Sequence, residues 1–297
     1  MRQKNWPWLR SNPINLKEAR QYLRQMLKKV ESTSPDNTGL VLLSHILKRP
    51  KTWILAHPEY PLTLEELSDL QEDLDKLLQG FPLPYLLGQW EFYGRSFFIT
   101  PDVLIPRPET EHLVEIAIQS ARQYQSPLIV DVGTGSGVVA ISLAAELPDA
   151  RVVATDLSLE ALHVAKINTQ RLGQTTVNFI QTDLLTPLSM QFDLICANLP
   201  YIPRQRLSKI PVTRWEPGLA LDGGQSGLNI INRLLDQAKS RLTRRGMILL
   251  EIDSTLGKRA LDMAMKYFPD YDCRIIQDLT QRDRILSINA PQTLKAD

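Results

Sequence analysis

Leu128-Ile129-Val130-Asp131-Val132-Gly133-Thr134-Gly135-Ser136-Gly137 is an apolar run that passes through alternating glycines into residues 138–147, a stretch of helical character. It reads as strand, tight turn and helix start. Glycine accepts the positive φ that such a turn needs, and it leaves bare backbone on which a ligand can lie near a helix N-terminus. Outward from this stretch, apolar runs at 151–155, 177–181, 192–197 and 247–252 alternate with helical stretches at 159–172, 227–242 and 256–268. Strands alternating with helices predict a parallel sheet covered on both faces. Two late strands, at 273–277 and 284–288, are joined by Asp278-Leu279-Thr280-Gln281-Arg282-Asp283, and so short a turn joins antiparallel neighbours. The sheet is therefore expected to end with one reversed strand.

Acids follow two of these strands. Asp156 ends the strand at 151–155, nineteen residues past Gly137, where a carboxylate is placed to bond the hydroxyls of a ribose. Asp183 follows the next strand, placed to accept from an adenine amino group with Leu184 against the ring. Ligands of open α/β sheets bind at the carboxyl ends of strands, so the set reads as an adenosine site. Gly135-Ser136-Gly137-Val138-Val139-Ala140 also satisfies the permissive dinucleotide pattern GxGxxA, which keeps NAD and an oxidoreductase in competition.

The strand at 192–197 runs into Asn198-Leu199-Pro200-Tyr201. This tip offers a side-chain amide, backbone carbonyls and a flat ring, the parts needed to hold a planar NH2 group. A carboxamide nitrogen is a poor nucleophile because its lone pair is delocalised. Acceptors on Asn198 and on the Leu199 carbonyl would take its hydrogens, and Tyr201 would pack on its flat face. That is catalysis by positioning rather than by a strong base.

Ahead of residue 100 the chain is different. Asn15 with Glu18, and Thr63 with Glu66, read as capping boxes. Leu16, Ala19, Leu23, Met26, Leu27 and Val30 follow the first at helical spacing, and Leu64, Leu67, Leu70, Leu74, Leu77 and Leu78 follow the second. Residues 32–37 read as a loop, 40–47 as a short helix stopped by Pro50, and Gly80 as the glycine just past a helix end. Residues 89–99 place aromatics about a glycine turn and read as a β-hairpin. The expected organisation is a helical bundle over 1–85, hairpin and linker over 86–110, and the α/β domain over 111–297.

Composition removes other classes. A formal net charge of +1 over 297 residues gives no global pull toward nucleic acid. Two cysteines, Cys196 and Cys273, and four histidines form no metal-like spacing, so no metal is expected and the chain suits a reducing, cytoplasmic setting. No apolar run is long enough to span a membrane. Met1-Arg2-Gln3-Lys4-Asn5-Trp6-Pro7 lacks the apolar stretch of a secretory signal.

Asp131–Gly137 as a unit resembles the first motif of class I methyltransferases, which use S-adenosylmethionine on a Rossmann-like seven-stranded sheet. Asn198–Tyr201 resembles the (D/N)PPY motif of enzymes that methylate amide or exocyclic amine nitrogens, with Leu199 in place of the first proline. Further matches are Pro84-Tyr85-Leu86-Leu87-Gly88, Trp90-Glu91-Phe92-Tyr93-Gly94, Glu216-Pro217, Gly223-Gly224, Leu249-Leu250-Glu251-Ile252 and, most specific, Thr100-Pro101-Asp102-Val103-Leu104-Ile105-Pro106-Arg107-Pro108-Glu109-Thr110-Glu111. By these the chain is similar to the release-factor glutamine methyltransferases (PrmC/HemK).

The resemblance implies methyl transfer from S-adenosylmethionine to the glutamine of the Gly-Gly-Gln tip of bacterial class 1 release factors, giving N5-methylglutamine. It implies a cofactor site of Gly133, Thr134, Gly135, Ser136, Gly137, Asp156, Asp183, Leu184 and Asn198. It implies a substrate site of Asn198, Leu199, Pro200 and Tyr201, with Asn198, Pro200 and Tyr201 catalytic. The helical domain would help dock the release factor, and the enzyme would act as a monomer without nucleic acid or membrane. A nucleic-acid amine methyltransferase and a non-catalytic release-factor-binding module are the alternatives. Roles for Arg107, Glu109 and Glu111 stay open, at the edge of the site or as braces of the linker. The chain also spells Gly223-Gly224-Gln225, read here as a structural turn.

Overall fold

The computed structural model describes residues 14–30 and 34–291; residues 1–7 of the basic N-terminus and residues 32–33 of the expected loop lie outside them. The chain divides between Leu87 and Gly88 into two compact units.

The first unit is built from α1 (Leu16–Leu27), α2 (Pro35–Leu47), α3 (Lys51–Ala56), α4 (Leu64–Leu78) and α5 (Leu83–Leu87). Both capping boxes are closed. Asn15 accepts from the Glu18 amide at 3.0 Å and Thr63 from the Glu66 amide at 3.2 Å, and each glutamate reaches back to its cap. Leu16, Leu23, Leu42, Leu43, Ile54, Leu70 and Leu74 are fully buried. Each such side chain contributes about 1.5–3 kcal/mol against about 1 for a cap, so the leucine core holds the unit. Two expectations shift. Helix α2 starts at Pro35, inside the expected loop, because the fixed φ of proline suits a first helical turn. The stripe of α1 stops at Leu27, leaving Val30 half-exposed beyond the helix.

The second unit opens with a hairpin, β1 (Gln89–Phe92) and β2 (Arg95–Phe98). Tyr93 and Gly94 at its turn both have positive φ, 48° and 68°, which matches the right-handed twist of two-residue hairpins. The hairpin is not a free linker. Asn168 exchanges hydrogen bonds with the backbone N–H and carbonyl of Phe98 at 2.7 and 2.9 Å, and the Tyr93 amide donates to Glu111 at 2.8 Å. Glu111 lies on α6 (Glu109–Ala121) and so braces the hairpin.

The sheet comprises β3 (Leu128–Val132), β4 (Arg151–Asp156), β5 (Asn178–Gln181), β6 (Phe192–Ala197), β7 (Leu242–Glu251), β8 (Asp272–Gln277) and β9 (Asp283–Asn289), in spatial order β5-β4-β3-β6-β7-β9-β8. The helices of this part are α7 (Val138–Glu146), α8 (Leu159–Arg171), α9 (Arg204–Leu207), α10 (Asn229–Ala238) and α11 (Gly257–Tyr267). Side chains alternate across the sheet. Phe192, Ile195 and Ala197 of β6 pack with Ile231 and Leu234 of α10 and Ala260 of α11. Leu194 and Cys196 pack on the other face with Leu113 of α6 and Ile141 of α7.

The reversed strand is the last in the chain, yet it is not the edge of the sheet: β9 runs antiparallel between β7 and β8. Strand β7 also begins five residues earlier than expected, and α10 is correspondingly shorter. The polar stretch 242–246 has little apolar signal; it is held by Thr243 donating to Asp193 at 3.1 Å and by the Arg245 carbonyl accepting from Tyr124.

The chain turns one way from β3 to β4 and the other way from β6 to β7, so β3 and β6 flank the switch point of the sheet. Their last paired residues are Val132 and Ala197. The glycine loop and the Asn198 tip leave the sheet side by side at the place where open α/β sheets bind ligands.

Candidate active site

A cleft of about 740 Å³ opens over these two tips, a size suited to a cofactor plus a reacting side chain. Its floor is the turn after β3. Gly133 and Thr134 donate to the Thr155 carbonyl at 2.8 and 2.9 Å, which anchors the turn to β4. From beneath, Asp131 accepts from the Thr134 hydroxyl at 2.6 Å and from the Ala140 amide of α7 at 3.2 Å. Asp131 is buried, and burial pushes its carboxyl up to about 7 despite those two donors. The Thr134 side chain is thus spent on the turn itself, and the turn offers its backbone to the cleft. Gly135 has φ 56° and nothing within 4 Å of where a Cβ would stand, so a side chain there would project into the cleft.

The glycines differ in what they do. Gly137 does not line the cleft: a Cβ on it would meet Ile141 at 2.9 Å and Ala165 at 3.1 Å. It lets α7 pass α8 closely, a packing role. Ser136 lines the cleft while its carbonyl accepts from Asn168 at 2.9 Å.

Asp156 stands at the wall of the cleft with both oxygens engaged. One accepts from the Gly135 amide and the other from the Ser158 amide, each at 2.9 Å. Burial raises its carboxyl, and the backbone donors oppose that shift. Each oxygen keeps a lone pair for a hydroxyl. Asp183 is half-exposed and ion-paired with Arg233 of α10, a cleft-lining cation that sequence spacing did not single out. Leu184 is buried against the cleft in a left-handed conformation, φ 58°, so the chain turns sharply just after Asp183.

On the other tip, Asn198, Leu199 and Pro200 line the cleft and Tyr201 does not. The Tyr201 hydroxyl reaches away to Glu251 at 3.4 Å, and burial beside that carboxylate raises its pKa. Asn198 donates from Nδ2 to the Thr110 hydroxyl at 3.0 Å, and Thr110 in turn donates to Glu251 Oε2 at 2.7 Å. Glu251, 1% exposed at the end of β7, is pushed up to about 7 by burial. Behind the tip, Ile202 donates to the Leu221 carbonyl and Gly223 to the Ile202 carbonyl, at 3.1 and 2.9 Å. A Cβ on Gly223 would stand 2.8 Å from the Pro200 oxygen, so only glycine lets this turn back the tip so closely.

Of the linker acids and bases, Arg107 edges the cleft and pairs with Glu216 at 2.5 Å, while Glu216 is fully buried and also accepts from the Ile105 amide at 3.4 Å. Cys196 is a buried packing residue whose thiol is raised by burial.

The PrmC N-terminal domain family matches residues 18–88, and the Methyltransferase small domain family matches residues 110–213. A release factor glutamine methyltransferase of Escherichia coli is 37% identical over 273 residues, covering 90% of this chain and 97% of its own. One from Moorella thermoacetica is 41% identical over 241 residues, covering 80% of this chain and 84% of its own. The chain belongs to the release factor glutamine methyltransferases. The solved hMettl16 catalytic domain, 17% identical with TM-score 0.54 over 69% of this chain and 79% of its own, shares the fold.

Four residues at or behind the cleft were not assigned by sequence reasoning: Thr110 and Arg233 line it, and Glu251 and Glu216 stand behind it as partners of Thr110 and Arg107. Thr110, Glu216 and Glu251 stood inside quoted motifs, and Thr110 meets Glu251. Their contact spans 141 residues of chain, so no local spacing could reveal it.

Proposed function

We propose that this protein transfers a methyl group from S-adenosylmethionine to the side-chain amide nitrogen of the glutamine in the Gly-Gly-Gln tip of class 1 release factors. The observation that carries the reading is the state of Asn198. Its Nδ2 is committed to Thr110, so the group it offers the cleft is the carbonyl Oδ1, an acceptor for an incoming N–H. The residues fit the cofactor: Gly135 leaves open backbone, Asp156 keeps lone pairs for ribose hydroxyls, and Asp183 with Leu184 edges the place for the base. Gly133, Thr134, Ser136 and Gly137 shape the turn that receives it.

When bound, the cofactor supplies an electrophilic methyl on a sulfonium that departs as a neutral thioether. The chain holds the glutamine amide so that its hydrogens meet Asn198 Oδ1 and the Leu199 carbonyl, which turns the nitrogen toward that methyl. Transfer would break the donor's C–S bond, form one N–C bond on the glutamine held by Asn198 and Leu199, and release one amide proton to solvent. Pro200 stiffens the tip. Tyr201, tied back to Glu251, holds the far side of it. In this reading the helical unit docks the release factor and the enzyme works in the cytoplasm as a monomer; no helix among the described residues is long and apolar enough to cross a membrane.

The test is to incubate the protein with S-adenosylmethionine and a class 1 release factor and weigh the tryptic peptides. One methyl on the Gly-Gly-Gln glutamine is expected. An unmodified glutamine overturns the reading, and methyl on added nucleic acid instead would point to an exocyclic amine. Stabilisation against heat by S-adenosylmethionine and not by NAD separates the two cofactors.

A further inference from the structure

Two buried groups do more than pack. Thr110 is 2% exposed and Glu251 is 1% exposed; they lie on α6 and β7, and they meet Asn198 in one unbroken chain of hydrogen bonds. Resting on the reading of Asn198 just given, we infer that Thr110 and Glu251 are positioning residues that set which end of the Asn198 amide faces the substrate.

The argument is one of proton counting. A threonine hydroxyl has one proton to give and lone pairs to receive. While Glu251 is ionised it has only acceptors, so the Thr110 proton is committed to Oε2 at 2.7 Å. Thr110 can then only accept from Asn198, which forces Nδ2 toward Thr110 and leaves Oδ1 for the substrate. Protonated Glu251 can donate to Thr110 instead. The hydroxyl proton is then free to serve Asn198 Oδ1, and the amide can turn over. A flipped Asn198 shows N–H groups to an incoming NH2, donor against donor, and cannot align it.

The groups facing Glu251 come from three directions. Arg284 on β9 favours the ionised form, Glu109 on α6 disfavours it, and the Thr110 and Tyr201 hydroxyls stabilise it by hydrogen bonding. Burial outweighs these and moves the carboxyl to about 7, so the switch between committed and free Thr110 falls in the physiological range.

The experiment measures kcat with saturating S-adenosylmethionine and release factor between about pH 5.5 and 9, around the raised pKa. Wild type, Thr110→Ser, Thr110→Val and Glu251→Gln are compared, with cofactor affinity and thermal unfolding measured for each. Wild-type kcat should fall on the acid side with a midpoint near 7. Thr110→Ser keeps both the rate and that limb. Thr110→Val and Glu251→Gln lose roughly tenfold to a hundredfold in kcat at high pH, show no limb near neutrality, and keep the wild-type affinity for the cofactor. A merely structural role would lower activity equally at every pH and leave the limb in place. Wild-type kcat without an acid limb, a limb unchanged in Glu251→Gln, or Thr110→Val turning over at the wild-type rate overturns the inference. If the two disruptive variants do not fold, the profiles of wild type and Thr110→Ser still decide it. Failure of wild type to methylate release factor at any pH is a different result: it removes the functional reading, and the inference falls with it.

Discussion

The Leu199 side chain lies 3.0 Å from the point where a Cβ on Gly133 would stand. Leu199 stands where the (D/N)PPY motif that this tip resembles has its first proline, and it is buried on the bare face of the glycine loop. The two tips at the switch point of the sheet are therefore packed on each other. Gly133 also has φ 73°, so Gly133→Ala meets both backbone strain and a tight contact. A loss of about 1–3 kcal/mol in stability is expected from urea unfolding. In the Leu199→Ala background the contact is relieved while the strain remains, so the two substitutions should sum to less than their separate costs.

Asn198→Ala removes the acceptor offered to the substrate without touching the glycine loop. Methyl transfer should fall by at least roughly a hundredfold, while most of the heat stabilisation given by S-adenosylmethionine is kept, because the glycine loop, Asp156 and Asp183 still hold the cofactor without the Asn198 contact. Peptide mass reads the first and thermal unfolding the second. Near-normal turnover would remove Asn198 from the mechanism.

Glu216 is fully buried, and Arg107 is its ion-pair partner. Arg107→Ala strands a buried carboxylate. Arg107 is itself about one-third exposed, so water can partly replace it, and the expected cost is roughly 1–3 kcal/mol rather than the larger loss seen when a wholly buried pair is broken. Arg107→Ala with Glu216→Gln together should recover part of that loss in the unfolding midpoint.

Asp131 and Glu251 both hold their protons up to about 7, whereas in an unfolded chain they release them near about 4. Between those values the folded state binds more protons, so these two groups favour folding at the acid end and lose that contribution as pH rises through about 7. The unfolding temperature should respond more weakly to pH over this window in Asp131→Asn and in Glu251→Gln than in wild type. Equal slopes in all three proteins would show that neither carboxyl titrates as its burial requires.

The strands and most helices were legible because their signals are local: an apolar run such as 192–197, a capping box, a glycine turn. Where the apolar signal fails the reading failed too, as at Leu242-Thr243-Arg244-Arg245-Gly246, a mostly polar segment that pairs with β6 at Phe192–Leu242 and is held beyond it by Asp193 and Tyr124. The place of β9 inside the sheet rather than at its edge is a matter of long-range pairing that a short turn does not specify. For the site, topology alone brings the glycine loop, Asp156 and Asn198 to one edge, so spacing sufficed. The link from Asn198 through Thr110 to Glu251 joins three separate elements and carries no periodic mark.

The turn at Gly223 and Gly224 spells, with Gln225, the very tripeptide that the enzyme is proposed to modify. Folded, both glycines are locked behind the tip: Gly223 against the Pro200 oxygen, Gly224 against Asn229. The tripeptide cannot extend into a neighbour's cleft without tearing out the support of its own. Gln225 therefore becomes a target only on a molecule that has lost its shape, and a methyl found there in a purified sample would be a lasting record of past unfolding.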